Sequence, residues 1–340
     1  MDGSGTAAPS PGRRGAWGRR PVWSGWLARL ARLVRLDRIG ADGWAAIGAW
    51  ALVLGLAVAL GGTLRFTPRT LWAPLLAAVL GMLVCALCRR PFWQGLGEWW
   101  PFLAMIALYM QLDPYTRLLH REPLDGALYA LDLRWFGVAP SEWLGAHRWR
   151  HPLVTEVMAL GYSSYFVLPL LSAAPVYIPT VRGPLGLHMR HREQFRAILT
   201  GTVLTLGLGF LGYMLVPARG PRFFLPAPGS GGAGEPIHGA FGYYDWAISV
   251  WNRMQEVTTD AFPSLHTATA TLAMGFSLRF RRLLRALPYL CLPLGALLIL
   301  STVYLRMHYV IDVVAGAALG LLGCVLGPLL VGAVKVRTKR

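Results

Sequence analysis

The stretch Ser301–Gly316, STVYLRMHYVIDVVAG, sets Arg306, His308 and Asp312 at the junction of two apolar runs, 285–302 and 308–331. A single helix over 285–331 would be about 70 Å long at 1.5 Å per residue, more than twice the hydrocarbon thickness of a bilayer. The chain therefore turns near residues 303–307, although neither Gly nor Pro marks the place. Two spanning helices with ionisable residues at their junction give the fold class: an all-α, polytopic transmembrane helix bundle.

The composition agrees. Of 340 residues, 55% are hydrophobic and 14% charged, which excludes a water-facing globule. The mean hydropathy of +0.45 points the same way. The formal net charge of +17 would suggest nucleic acid in a soluble protein. Here the arginines cluster at the ends of apolar runs, as cytoplasmic loops of membrane proteins require, so no nucleic-acid partner is expected. The 4 cysteines are too scattered for a disulfide framework. Cys85 and Cys88 lie in an apolar run without companion ligands, so no metal site is expected.

Working outward, runs near the roughly 20 residues that a span needs fall at 44–64, 70–88, 99–112, 152–178, 195–217, 264–279, 285–302 and 308–331, about eight spans, of which the third and sixth are short. Residues 1–22, rich in Gly, Pro, Ser and Arg, read as a disordered basic tail. In 23–35, Trp23, Trp26, Leu27, Leu30, Leu33 and Val34 share one helical arc and Arg29, Arg32 and Arg35 the other, the pattern of an amphipathic interfacial helix. With a cytoplasmic N-terminus, eight spans put Arg89 and Arg90 and the basic stretches 181–196, 279–285 and 335–340 on the cytoplasmic side. Segments 113–151 and 218–263 then lie outside as loops.

Three polar stretches share that outer face: VPARGPRFF (Val216–Phe224), FPSLHTA (Phe262–Ala268) and the opening stretch. His308 and Asp312, four apart, can meet on one helical face, with the carboxylate taking the Nδ1 proton and leaving Nε2 as nucleophile or base. Ser264 can cap a helix whose first-turn N–H groups, its own included, grip an anion, and His266 projects from the same turn. Arg219, Arg222 and Arg306 add forked donors suited to phosphate oxygens. Each has a plain structural reading: a helix cap, a hydrogen-bonded pair between helices, interfacial anchors. Their convergence on one face argues for function, because ionisable groups near a membrane are costly.

The motifs PSLH and STVYLRMHYVIDVVAG resemble the second and third signatures of the type 2 phosphatidic acid phosphatase superfamily. The third signature has Ser, His and Asp at the spacing of Ser301, His308 and Asp312. The resemblance covers roughly 95–335. Two departures stand out: Thr302 occupies the place of the motif's Arg, and ARGPRF matches the first signature loosely, without its Lys. This variant is similar to the branch that contains inositol phosphorylceramide synthase, which also has Thr beside that Ser and VYL before its His, and Arg306 with Arg219 and Arg222 would replace the missing donors.

The resemblance implies a six-helix phosphatase-like core in a catalytic domain, 91–340, and leaves outside it 1–40 (tail and interfacial helix) and 41–90 (two N-terminal transmembrane helices). It implies that His308 forms a phosphohistidine oriented by Asp312, and that His266 serves as acid and then base. Arg219, Arg222, Ser264, Ser301 and Arg306 would hold the phosphate, with no cofactor and no metal. The expected partners are a phospholipid or isoprenoid phosphate donor, a polyol or water acceptor, and membrane lipids, with the oligomeric state left open. The expected location is the plasma membrane, multi-pass, with both termini cytoplasmic and the site extracytoplasmic. A lipid phosphate or polyprenyl pyrophosphate hydrolase is the alternative to a phosphotransferase. A transporter or scaffold is the remote one, since a transport path would place its ionisable groups near mid-membrane.

Overall fold

The computed structural model describes residues 40–60, 91–116, 122–146, 151–182, 185–225, 237–255 and 257–338. The tail 1–22, the amphipathic stretch 23–35, the run 70–88 and Arg89 and Arg90 lie outside the described residues. Ile39–Arg340 forms one compact unit.

In chain order the helices are α1 (Ala41–Leu60), α2 (Pro91–Tyr109), α3 (Asp113–Thr116), α4 (Asp125–Phe136), α5 (Pro140–Ala146), α6 (Pro152–Ser163), α7 (Leu168–Arg182), α8 (Leu185–Leu215), α9 (Pro221–Phe224), α10 (Tyr243–Met254), α11 (Leu265–Arg279), α12 (Leu287–Tyr304) and α13 (Val310–Thr338). A short 3₁₀ turn, Ser164–Phe166, joins α6 to α7. Among the described residues there is no strand, and a lone parallel bridge pairs Ala218 with Asp260.

Three described segments are long and apolar enough to cross a membrane: His191–Leu215, Leu287–Tyr304 and Val310–Ala333. A fourth joins them if Pro152–Phe166 and Leu168–Pro179, bent by 45°, count as one span. The expected span at 264–279 is the 15-residue α11, short for a bilayer. Its buried surface places it inside the bundle, against α12 and α13. The two expected outer loops are substantially helical, since 113–151 contains α3, α4 and α5 and 218–263 contains α9 and α10.

The core sits around α8. Trp50 of α1, Met105 and Leu108 of α2, Val203 and Phe210 of α8 and Leu265 of α11 form one buried cluster. Where α8 crosses α13 the backbones nearly touch: a Cβ on Gly201 would lie 2.7 Å from the Gly323 carbonyl oxygen. Small residues permit such approaches between apolar helices.

The turn expected at 303–307 is present. Helix α12 stops at Tyr304, the N–H groups of Met307 and His308 both donate to the Thr302 carbonyl (2.9 and 3.1 Å), and α13 begins at Val310. Arg306 takes the left-handed conformation, φ +58°, that glycine would usually supply. Its carbonyl accepts the Arg222 N–H at 2.7 Å, tying the turn to the neighbouring loop. That contact explains how the reversal proceeds without Gly or Pro.

Candidate active site

The C-terminal ends of α8 and α12 and the N-terminal ends of α11 and α13 meet at one end of the bundle, bringing the three polar stretches together. His266 Nδ1 lies 3.2 Å from His308 Nε2. The other nitrogen of His308, Nδ1, lies 2.9 Å from the Ala261 carbonyl oxygen and 3.5 Å from Asp312 Oδ2. A carbonyl can only accept, so Nδ1 carries the proton and Nε2 presents its lone pair, accepting from His266 Nδ1–H. The side chain expected to set the tautomer is therefore the more distant of two partners. Asp312 Oδ2 is already occupied, accepting the Tyr309 N–H at 2.9 Å.

The ring of His266 lies against two phenols, with Tyr162 stacked at 4.5 Å and Tyr165 tilted at 4.2 Å. These faces hold the imidazole beside its partner without drawing on its nitrogens.

Ser264 caps α11 as its sequence suggests, its Oγ accepting the Thr267 N–H at 3.2 Å. Its own N–H donates to the Asp312 carbonyl at 3.1 Å, so the structure does not offer it to an anion. Ser301 is fully buried, and its Oγ donates to the Leu298 carbonyl at 2.7 Å. Arg306 is buried within the turn. Of the residues expected to hold phosphate, Arg219 and Arg222 line the cavity described next, while Ser264, Ser301 and Arg306 are not among its lining residues. The reason is directional: Ser301 holds its motif spacing but points back into its helix, and Arg306 is buried in the turn, with its carbonyl on the Arg222 N–H.

The cavity has a volume of about 640 Å³ and ends on His266, His308, Arg219 and Arg222. Arg222 Nη2 donates to Asn252 Oδ1 at 2.9 Å, whereas Nη1 is buried without a hydrogen-bond partner among the described residues. Burial pulls this guanidinium below its ordinary pKa. A buried, unpaired guanidinium nitrogen is costly, and an anion in the cavity would satisfy it. Away from the histidines the wall becomes apolar, with Phe102, Met105, Leu206 and Phe210. Ile106, Met110, Phe166 and Leu170 both line the cavity and remain exposed, as do Phe223 and Met254, so it opens between α2 and the α6–α7 bend and also toward α9 and α10.

Two carboxylates that the sequence reading left in a loop hold this end together. Asp125, on α4, accepts the N–H groups of Arg219 (2.9 Å) and Gly220 (2.8 Å) and the Tyr309 hydroxyl (3.0 Å). Asp132, seven residues on, accepts the N–H groups of Val310 (2.9 Å) and Ile311 (3.1 Å), satisfying the first turn of α13. Gly220 runs so close to the turn that a Cβ would strike the Met307 carbonyl, and its φ of +92° suits glycine alone. The available sequence signal was two acidic residues at a two-turn spacing on one face of a short helix. Asp125→Asn should destabilise the protein by about 2 kcal/mol, because an amide cannot accept all three donors, and should weaken the inhibition expected from vanadate, a mimic of pentacoordinate phosphorus. Thermal melting in detergent and inhibition curves measure the two effects.

Asp260 is the other residue that the sequence reading missed. It lies on the cavity wall, with Oδ2 accepting from the Tyr109 hydroxyl at 2.8 Å and Oδ1 from the Gln255 amide at 3.0 Å. Burial pushes its carboxyl above the ordinary range, opposed by the Tyr109 hydrogen bond and by the nearby His308.

The sequence profile of the PAP2 superfamily matches residues 127–326. No curated protein and no solved structure matches the chain.

Proposed function

Because the chain belongs to the PAP2 superfamily, the lipid phosphatases and phosphotransferases of the type 2 phosphatidic acid phosphatase kind, we propose that it moves a phosphoryl or phosphorylated headgroup from a membrane lipid to an alcohol through phosphohistidine 308. The observation that carries this reading is the His266–His308 pair at the polar end of an otherwise apolar cavity, with Arg219 and Arg222 beside it.

In the first step the His308 Nε2 lone pair attacks phosphorus. The bond to the leaving oxygen breaks, and that oxygen takes the Nδ1 proton of His266, which acts as the imidazolium, freed from His308 by entry of the phosphoryl group and left as the neutral imidazole. The Nδ1–H of His308 stays on the Ala261 carbonyl, so the ring is held while it carries the phosphoryl group. In the second step an acceptor hydroxyl gives its proton to His266 Nδ1 as its oxygen attacks phosphorus and the N–P bond breaks. Arg219 and Arg222 offset charge on the equatorial oxygens.

The preferred acceptor in this reading is a polyol such as inositol, with water second. The support is the departure at Thr302, whose hydroxyl donates to the Ile299 carbonyl at 2.7 Å and is turned from the cavity, so no motif arginine fills that space. The test is product analysis on labelled lipid phosphates with and without millimolar inositol. A phosphorylated polyol product supports transfer. Release of inorganic phosphate or free phosphorylated headgroup at one rate in both conditions overturns transfer in favour of hydrolysis. The site is proposed to face away from the cytoplasm in a multi-pass plasma-membrane protein, on the strength of the basic stretches at the opposite ends of the spans.

A further inference from the structure

The dyad and two arginines account for one side of the polar end of the cavity, and Asp260 is unused by them. A carboxylate is a poor neighbour for a phosphate oxygen, since like charges in a partly dry site repel. Its surroundings add another chemistry: Tyr109, Tyr162, Tyr165 and Tyr213 line the same cavity and bring phenol groups beside the cations. Among the described residues, Asp260 Oδ2 accepts from the Tyr109 hydroxyl and Oδ1 from the Gln255 amide, and a carboxylate oxygen has room for a further donor. The side chain is only partly covered, on a wall that faces open space.

Resting on the transfer reading above, we propose that Asp260, with Tyr109, Tyr162, Tyr165, Tyr213 and Gln255, forms a subsite for a neutral polyhydroxyl group. Hydroxyls donate to the carboxylate and exchange hydrogen bonds with phenols, while the phenol rings cover the carbon face of a polyol. A cationic headgroup would also suit a carboxylate, but it would meet Arg219, Arg222 and Arg253 on the same wall. The polyol reaches the subsite either as the headgroup of the donor lipid or as the free acceptor, and the chemistry of recognition is the same.

The experiment uses full-length protein in vesicles with two donors of equal acyl chains, phosphatidylinositol and phosphatidic acid, each with and without free inositol. Asp260→Asn should lower the ratio of kcat/KM for phosphatidylinositol over phosphatidic acid at least tenfold if the group is the donor headgroup. If the group is the acceptor, it should lower the ratio of transfer to hydrolysis with free inositol at least tenfold. Tyr109→Phe, which removes the donor that orients Oδ2, should move the same ratio in the same direction by a smaller factor. Should Asp260→Asn fail to fold, Asp260→Glu and Tyr109→Phe decide. Both ratios unchanged within twofold in the folded variants overturn the proposal. Phosphohistidine formation by wild type from phosphatidic acid separates the two levels: its absence sinks the transfer reading, whereas its presence with unmoved ratios sinks only the subsite.

Discussion

His308→Ala should reduce turnover at least about 10⁴-fold and abolish the acid-labile phosphoenzyme, the largest effect of any single change in the protein. The expectation rests on connectivity as well as motif. Nε2 of His308 carries the free lone pair because Nδ1–H is held by a backbone carbonyl 2.9 Å away, and no other described imidazole approaches the same point with that polarity. Asp312→Asn provides the contrast. Where a carboxylate alone sets the tautomer of a catalytic histidine, the amide costs about 10⁴. Here the Ala261 carbonyl is the nearer partner and Asp312 stands at 3.5 Å. The loss should then be about 10- to 100-fold, with phosphoenzyme still detectable. Near-normal turnover by His308→Ala, or equal losses for the two variants, would refute this division of roles. Rapid-quench trapping of labelled phosphoenzyme at alkaline pH reads both.

His266→Ala should show a loss that depends on the leaving group. A side chain that supplies a proton to the departing oxygen contributes about 10²–10⁴-fold. With an alkyl phosphate lipid the loss should be about 10³-fold, because an alkoxide leaves poorly without a proton. With p-nitrophenyl phosphate, whose phenolate needs none, the burst of phosphoenzyme should stay within about tenfold of wild type. The geometry behind this is the 3.2 Å contact of His266 Nδ1 with His308 Nε2 and the two phenol rings that fix the imidazole. Equal losses on both substrates would mean that His266 is a packing residue and that the proton comes from elsewhere.

What the sequence made legible was position along the chain. The reversal at 303–307 followed from helix length alone, and Ser264 from its cap preference. The meeting of His266 with His308 followed from bundling the ends of their helices. Direction in space was less legible. Ser301 holds its place in a phosphate-binding motif and Arg306 reads as the substitute for the motif's missing Arg, yet Ser301 bonds Leu298 and Arg306 offers its carbonyl to Arg222. Helical phase decides this, and a motif written as letters does not carry phase across a turn. The Ala261 carbonyl was invisible because every residue has one. Asp125, Asp132 and Asp260 were hidden for another reason: they fall in stretches whose Pro, Gly and acid content reads as loop, and their roles depend on partners 94, 178 and 151 positions away. Span counting suffered from the same cause, since α11 is short for a bilayer because it starts at the site, with buried flanks in place of lipid.

The opening between α2 and the α6–α7 bend changes what concentration means for this protein. A donor lipid that enters there travels in the plane of the bilayer and never passes through water. Its rate of encounter with His308 is then set by its mole fraction in the membrane, not by how much lipid the suspension holds. Diluting the donor with inert phospholipid at constant bulk donor should slow the reaction, and adding more vesicles of the same composition should leave the rate per enzyme unchanged. For the cell, the enzyme would respond to the local makeup of the leaflet around it, so that a patch enriched in donor raises the flux there alone.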